Sequence, residues 1–166
     1  TDLFSVESVD VAFSNGVSRR YERLHGGRFP GAVMIVPMLD KDTMLLIREY
    51  GVGIEQYTLG FPKGGINPGE SSVETAHREL REEVNYDAKE LSLLTRFSLM
   101  PSYMPAFMDV YLAQSLFESS LVGDEPEPLG LVPWKLSQVD QLLAHPEFIE
   151  CRSIAALLLL ERRQRA

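Results

Sequence analysis

Glu79, Glu82 and Glu83 stand at i, i+3 and i+4 in the run Arg78-Glu-Leu-Arg-Glu-Glu83. On a helix such residues share a face, with Cβ atoms about 5–6 Å apart. Like charges at i,i+4 destabilise a helix by a few tenths of a kcal/mol, and carboxylates in the last turn face the negative end of the helix dipole. Arg78 and Arg81 offset part of that cost, and Arg78 is spaced to pair with Glu82. Two readings compete: a solvated charged face, which acidic runs commonly are, or a divalent-cation site that relieves the repulsion. Mg²⁺ takes oxygen ligands and binds through carboxylates together with substrate phosphates. The preceding loop, Gly64-Gly-Ile-Asn-Pro-Gly-Glu70, favours the cation site. Its glycines let backbone come close to a ligand, and the Gly64 carbonyl is free to join the carboxylates.

The local sequence predicts a helix over 72–84 to carry these groups. Ser71 and Glu74 have capping-box spacing, and Pro68-Gly69 stops any element from upstream. Val73, Ala76, Leu80 and Val84 form one apolar stripe, with Glu83 at its edge. Asn85 can take the left-handed conformation that ends a helix. Before this helix, 3–11 and 17–25 read as a hairpin around Asn15-Gly16, both of which tolerate φ > 0. A Gly-rich joint at 25–31 leads to strands at 32–39 and 43–49 and a short one at 54–61. After it, strands at 91–99 and 108–113 flank an irregular stretch at 100–106. Residues 118–128 form a loop rich in Asp, Glu and Pro, and 132–134 a last strand. Ser137 is expected to cap a short helix, and 149–163 to form the final one. Strands interrupted by one central helix and closed by helices make an α+β fold.

The chain has 166 residues, 45% of them hydrophobic, which suits one domain with a real core. Its longest apolar run, Ile154 to Leu160, is seven residues against the roughly 20 that a membrane helix needs, so no membrane span is expected. The first residues lack the basic and apolar regions of a signal peptide. A net charge of −8 argues against a basic groove and a long nucleic-acid partner. Cys151 is the single cysteine and is expected to be buried beside the apolar run; with no internal disulfide available, a cytoplasmic location is expected. His25, His77 and His145 lie too far apart for a zinc-like spacing.

The stretch from Gly64 to Tyr86 resembles the signature of the Nudix hydrolase family: Gly, five residues, Glu, seven residues, then Arg-Glu-apolar-x-Glu-Glu-x-Gly-apolar. Here those positions are Gly64, Glu70, Arg78, Glu79, Leu80, Glu82, Glu83, Asn85 and Tyr86. Asn85 replaces the family Gly and Tyr86 an aliphatic residue; no carboxylate is lost. The resemblance implies an α/β/α sandwich around a mixed sheet over 32–166, with residues 1–25 as an N-terminal β-hairpin that takes part in a homodimer. It implies Glu79 and Glu83 as principal metal ligands, Glu82 contributing and Gly64 offering its carbonyl to Mg²⁺, with Mn²⁺ as a substitute. Glu70 and Arg78 would tie the loop to the helix.

The hairpin, the Leu59-Gly-Phe-Pro-Lys-Gly-Gly65 stretch and the downstream layout resemble the ADP-ribose pyrophosphatase and ADP compounds hydrolase branch. The implied reaction is hydrolysis of the pyrophosphate bond of ADP-ribose, NADH and diadenosine polyphosphates, releasing AMP. Pro101 and Tyr103 resemble branch markers for ADP-ribose and for diadenosine polyphosphates. The acidic residue and the Arg that many ADP-ribose enzymes carry are missing near Ala106 and Gly51, which argues against a site restricted to ADP-ribose. Arg48 is a candidate phosphate contact, and Tyr50, Phe61 and Tyr103 are candidates to stack on or shape an adenine pocket. The catalytic carboxylates expected are Glu82 and Glu83 on the helix and, in the acidic loop, Glu125 or Glu127 as general base. Glu127 is favoured because it lies nearer the anchoring segment at 131–134. Two rival functions stay open: a nucleoside triphosphate or capped-RNA pyrophosphohydrolase, and a non-catalytic nucleotide sensor.

Overall fold

The structure is a computed structural model, and it describes residues 5–25 and 31–164. The hairpin consists of β1 (Ser5–Ala12) and β2 (Ser18–His25), antiparallel in register from Ser5↔His25 to Ala12↔Ser18. At its tip only Gly16 is left-handed, at φ 81°. Asn15 contributes its side chain instead, accepting the Val17 N–H at 3.1 Å. The joint at 26–30 lies outside the described residues.

The remainder is built on two sheets. The first is mixed, in the order β6 (Lys63–Gly65), β3 (Ala32–Pro37), β8 (Phe107–Glu118), β7 (Tyr86–Ser98), with β3 and β8 parallel. The second is antiparallel, in the order β5 (Gln56–Gly60), β4 (Thr43–Gly51), β9 (Gly130–Lys135). Helix α1 is Ser72–Glu83, α2 is Val139–Leu143 and α3 is Cys151–Gln164. Strand β3 and the Met44–Ile47 stretch of β4 are apolar because both their faces are covered. Val33, Ile35, Leu45 and Ile47 pack with Ala76 and Leu80 of α1. Met34, Val36, Met44 and Leu46 pack with Ala156, Leu157 and Leu160 of α3. Period-two alternation thus sends neighbouring residues to opposite helices, and the α/β/α sandwich follows.

Five local expectations need correcting. Val73 is exposed, and the buried side of α1 consists of Thr75, Ala76, Glu79, Leu80 and Glu83. Ser137 caps no helix; its N–H and hydroxyl both bind the Asp42 carboxylate, at 2.8 and 3.0 Å. Helix α3 begins at Cys151 because the Glu150 carboxylate accepts the N–H groups of Arg152 and Ser153, and Cys151 is exposed because the buried face runs through Ser153, Ala156, Leu157 and Leu160. Strands β7 and β8 extend well past 91–99 and 108–113, pairing as far as Tyr86↔Glu118, where polar residues conceal the strand from an apolar pattern.

Candidate active site

The carboxylate helix is fixed at both ends. At its start the Ser71 hydroxyl accepts the Glu74 N–H at 3.3 Å and the Glu74 carboxylate accepts the Ser71 N–H at 2.8 Å, a complete capping box. At its end the Val84 N–H reaches the Leu80 carbonyl and Asn85 turns left-handed at φ 60°. The loop before α1 is tied down by Glu70, which accepts from the Asn67 N–H at 3.3 Å, the Thr75 hydroxyl at 2.9 Å and Arg78 Nε at 3.1 Å. These bonds, the Arg78 one foremost, hold the Glu70 carboxyl down to about 2. Arg78 also donates to the Gly65 carbonyl at 3.0 Å and pairs with Glu79 and Glu82, each at 2.7 Å.

Glu79 and Glu83 are 6% and 8% exposed, which is rare for carboxylates. Burial pushes Glu79 up to about 7, against the pull of Arg78. Burial, followed by the charge of Glu79, pushes Glu83 up to about 8, although the Lys63 N–H donates to Glu83 Oε2 at 3.0 Å. Gly64 crosses directly over Glu79: a Cβ at residue 64 would stand 1.8 Å from Glu79 Oε1. Of the two buried carboxylates Glu79 is paired with Arg78 and Glu83 is met by the Lys63 N–H, beside a backbone that admits no side chain. This hard-oxygen environment suits a divalent cation. Among the described residues no three acidic or histidine side chains form a ready-made cage. An ion that keeps waters and takes substrate phosphates needs no such cage.

Lys63 was not foreseen as part of the site. Besides holding Glu83 through its N–H, it places its ammonium 2.5 Å from Glu49 Oε2. Its position next to Gly64 was the available signal. The acidic loop closes the other side, where Glu82, Gly123, Glu125 and Glu127 line a cleft of about 230 Å³. The Glu125 carboxyl is pushed up by burial first and then by the charges of Glu49 and Asp124, against Lys63. Glu127 turns elsewhere and accepts the Tyr57 hydroxyl at 2.6 Å. The two loop glutamates diverge: Glu125, not the favoured Glu127, feels the charges of Lys63 and Glu49.

The remaining candidates are dispersed. Arg48 is held by Glu147 through bonds of 2.9 and 2.7 Å, and its guanidinium carbon lies 4.2 Å from the centre of the Tyr57 ring. Tyr50 is half exposed and meets Tyr57 edge-on. Phe61 is wholly buried in the core, with no ring face open to a ligand. Tyr103 is exposed on the turn between β7 and β8, where its carbonyl accepts the Leu24 N–H of the hairpin at 2.7 Å. Glu49, Tyr57 and Glu147 join this neighbourhood without any motif to announce them.

Known proteins resemble this chain in sequence and in fold. The family model for the NUDIX domain matches residues 28–158, and that for the NudE-type Nudix hydrolase N-terminal domain matches residues 1–23. The chain is 52% identical over 158 residues to the ADP compounds hydrolase NudE of Escherichia coli (strain K12), covering 95% of this chain and 84% of that one. It is 27% identical over 157 residues to the ADP-ribose pyrophosphatase of Bacillus subtilis (strain 168), covering 93% and 83%. A crystal structure of ADP compounds hydrolase superposes with a TM-score of 0.91 at 50% identity, covering 99% of this chain and 88% of that one.

Proposed function

The chain belongs to the Nudix hydrolase family, and from that premise we propose that it hydrolyses the pyrophosphate bond of ADP compounds, among them ADP-ribose, NADH and diadenosine polyphosphates, releasing AMP. The observation that carries the reading is the burial of Glu79 against Gly64 and of Glu83 beside the Lys63 N–H, a site whose charge calls for a cation. Mg²⁺, with Mn²⁺ as a substitute, is the ion we assign to it. Glu79 and Glu83 would hold it, with Glu82 contributing and Gly64 offering its carbonyl. A divalent cation bound there neutralises the diphosphate and lowers the pKa of a water.

The protein's own groups do the rest. Lys63 fixes the Glu83 carboxylate through its N–H, and Arg78 joins the Gly65 carbonyl, Glu70 and Glu82 in one network. Glu125 takes the proton of the attacking water. It lines one cleft with Glu82, and Glu127 is already engaged by Tyr57. On the substrate side, Tyr50 and Tyr103 keep exposed rings.

The same reading makes the protein a cytoplasmic homodimer. The hairpin exposes Val6 and Tyr21 and reaches the rest of the described chain through the Leu24–Tyr103 backbone bond. A pair of strands is marginal by itself, so a second copy is its natural cover.

A substrate panel with Mg²⁺ or Mn²⁺ and product identification tests the function. AMP released from ADP compounds is expected. Turnover restricted to nucleoside triphosphates or capped RNA, or nucleotide binding with no turnover, would replace this reading by one of its rivals.

A further inference from the structure

The acidic loop, residues 119–129, is held in two places. Its first half is bonded to the end of the carboxylate helix: the Ser119 N–H donates to the Asn85 carbonyl at 3.2 Å and the Leu121 N–H to the Arg81 carbonyl at 3.0 Å. Gly123 follows, close enough that a Cβ there would lie 3.4 Å from Glu82 Cβ. Its second half carries no such backbone bond to the described residues before β9 begins at Gly130, opposite Arg48. That half is held at its end by Leu129, packed against the core beneath the carboxylate helix, and ahead of it by the hydroxyl of Tyr57, which donates to Glu127 Oε1 at 2.6 Å.

Tyr57 is itself fixed by two neighbouring side chains. Tyr50 is its direct cross-strand partner and meets its ring edge-on, with centroids 5.3 Å apart. Arg48 covers the ring face at 4.2 Å and is clamped by the Glu147 carboxylate. The Glu147 carbonyl accepts the Leu59 N–H at 2.8 Å, which ties this clamp to the strand that carries Tyr57. The hydroxyl position is therefore set by the sheet, not by the loop. Pro126 and Pro128 flank Glu127 and lock φ on either side of it, so holding Glu127 also sets the direction of Glu125.

We propose that Tyr57 is a positioning residue whose hydroxyl, through Glu127, holds the acidic loop where Glu125 faces the carboxylate helix. The proposal rests on the reading of Glu125 as the base. Tyr57 touches neither substrate nor cation; it acts by removing loop conformations in which Glu125 faces solvent. A hydrogen bond to an ionised carboxylate is shorter and stronger than a neutral one, which suits a latch at a partly solvated site.

The experiment combines amide hydrogen exchange with steady-state kinetics on ADP-ribose in the presence of Mg²⁺. Tyr57→Phe removes the hydroxyl alone. Exchange over 123–129 should quicken while exchange in α1 stays the same; kcat should fall about tenfold, the reach of one hydrogen bond, with KM within about twofold. Glu127→Gln keeps an acceptor for the hydroxyl and should retain clearly more turnover than Glu127→Ala. The double variant Tyr57→Phe/Glu127→Ala should be no slower than Glu127→Ala. Unchanged loop exchange in Tyr57→Phe, or normal kcat despite faster exchange, overturns the proposal. So do losses that multiply in the double variant, or Glu127→Gln and Glu127→Ala that are equally inactive, as a base at Glu127 would require. Glu125→Gln at full turnover overturns the base assignment instead, an outcome separable because loop exchange is read without turnover.

Discussion

The Gly64 backbone lies against the Glu79 carboxylate, with room for no atom between them: a Cβ on Gly64 would fall 1.8 Å from Oε1 and 2.2 Å from the carboxyl carbon. Glu79 is 6% exposed and paired with Arg78, so it has no free side to move into. Gly64→Ala should displace it and lower kcat/KM by at least about 10²-fold, near 2.7 kcal/mol of transition-state stabilisation. Kinetics with a cation titration checks this; unchanged affinity and turnover would contradict the assignment of this contact to the site.

Glu83→Gln keeps the shape of the side chain and removes its charge. The Lys63 N–H can still find the amide oxygen, so the fold should survive while turnover drops by about 10²-fold or more. Excess chelator should abolish the activity of the unaltered enzyme, and added Mg²⁺ or Mn²⁺ should restore it. Full turnover under chelation would remove the metal from the mechanism.

The buried glutamates should also set a pH dependence. Glu79 and Glu83 sit near 7 and 8 in the folded, metal-free protein, above the usual 4.5, so folding favours their protonated forms. Their contribution to stability is full below about 4.5 and is lost as pH rises through the folded values. Glu70 has the opposite sign: held at about 2 against 4.5, it stabilises above 4.5 and loses that contribution as pH falls toward 2. Metal-free protein should therefore melt at progressively lower temperature from about pH 5 to about pH 8, and saturating Mg²⁺ should flatten that limb. Glu70→Gln should make the acid limb shallower, Asp40 and other paired carboxylates keeping the rest of it, and should leave the alkaline limb as it is. Melting curves across pH, with and without cation, measure both.

Asn85 holds the left-handed position after α1, at φ 60°. Asn85→Gly relieves that backbone and should leave the melting temperature unchanged or raised. Asn85→Ala places a Cβ where L residues avoid it and should cost about 1 kcal/mol. Equal melting temperatures for the two variants would show that the turn adapts.

Light scattering at micromolar concentration should give a mass near twice the 18.7 kDa of one chain. A monomer mass would leave the hairpin as an appendage of its own chain and remove the dimer from the proposed function.

Much of this was legible in residue order because it depends on local interactions. The capping box of Ser71 and Glu74, the left-handed Asn85, the Arg78–Glu82 pair and the hairpin all arise between residues close in sequence or from periodicity alone. The signature from Gly64 to Glu83 is of the same kind: a loop and a helix whose spacing announces a cation site. Tertiary structure decided which of the helix carboxylates are buried. Glu79 and Glu83 share the inner face with Leu80 while Val73 points out, because β3 and β6 pass beneath that face. It also decided the surroundings of the two loop glutamates. Glu125 and Glu127 are equivalent in composition and differ only in what lies opposite: the Lys63–Glu49 pair for one, the Tyr57 hydroxyl for the other. That partner lies 70 positions back along the chain. No local pattern can encode such a meeting, because it exists only once β4 has paired with β5 on one side and β9 on the other.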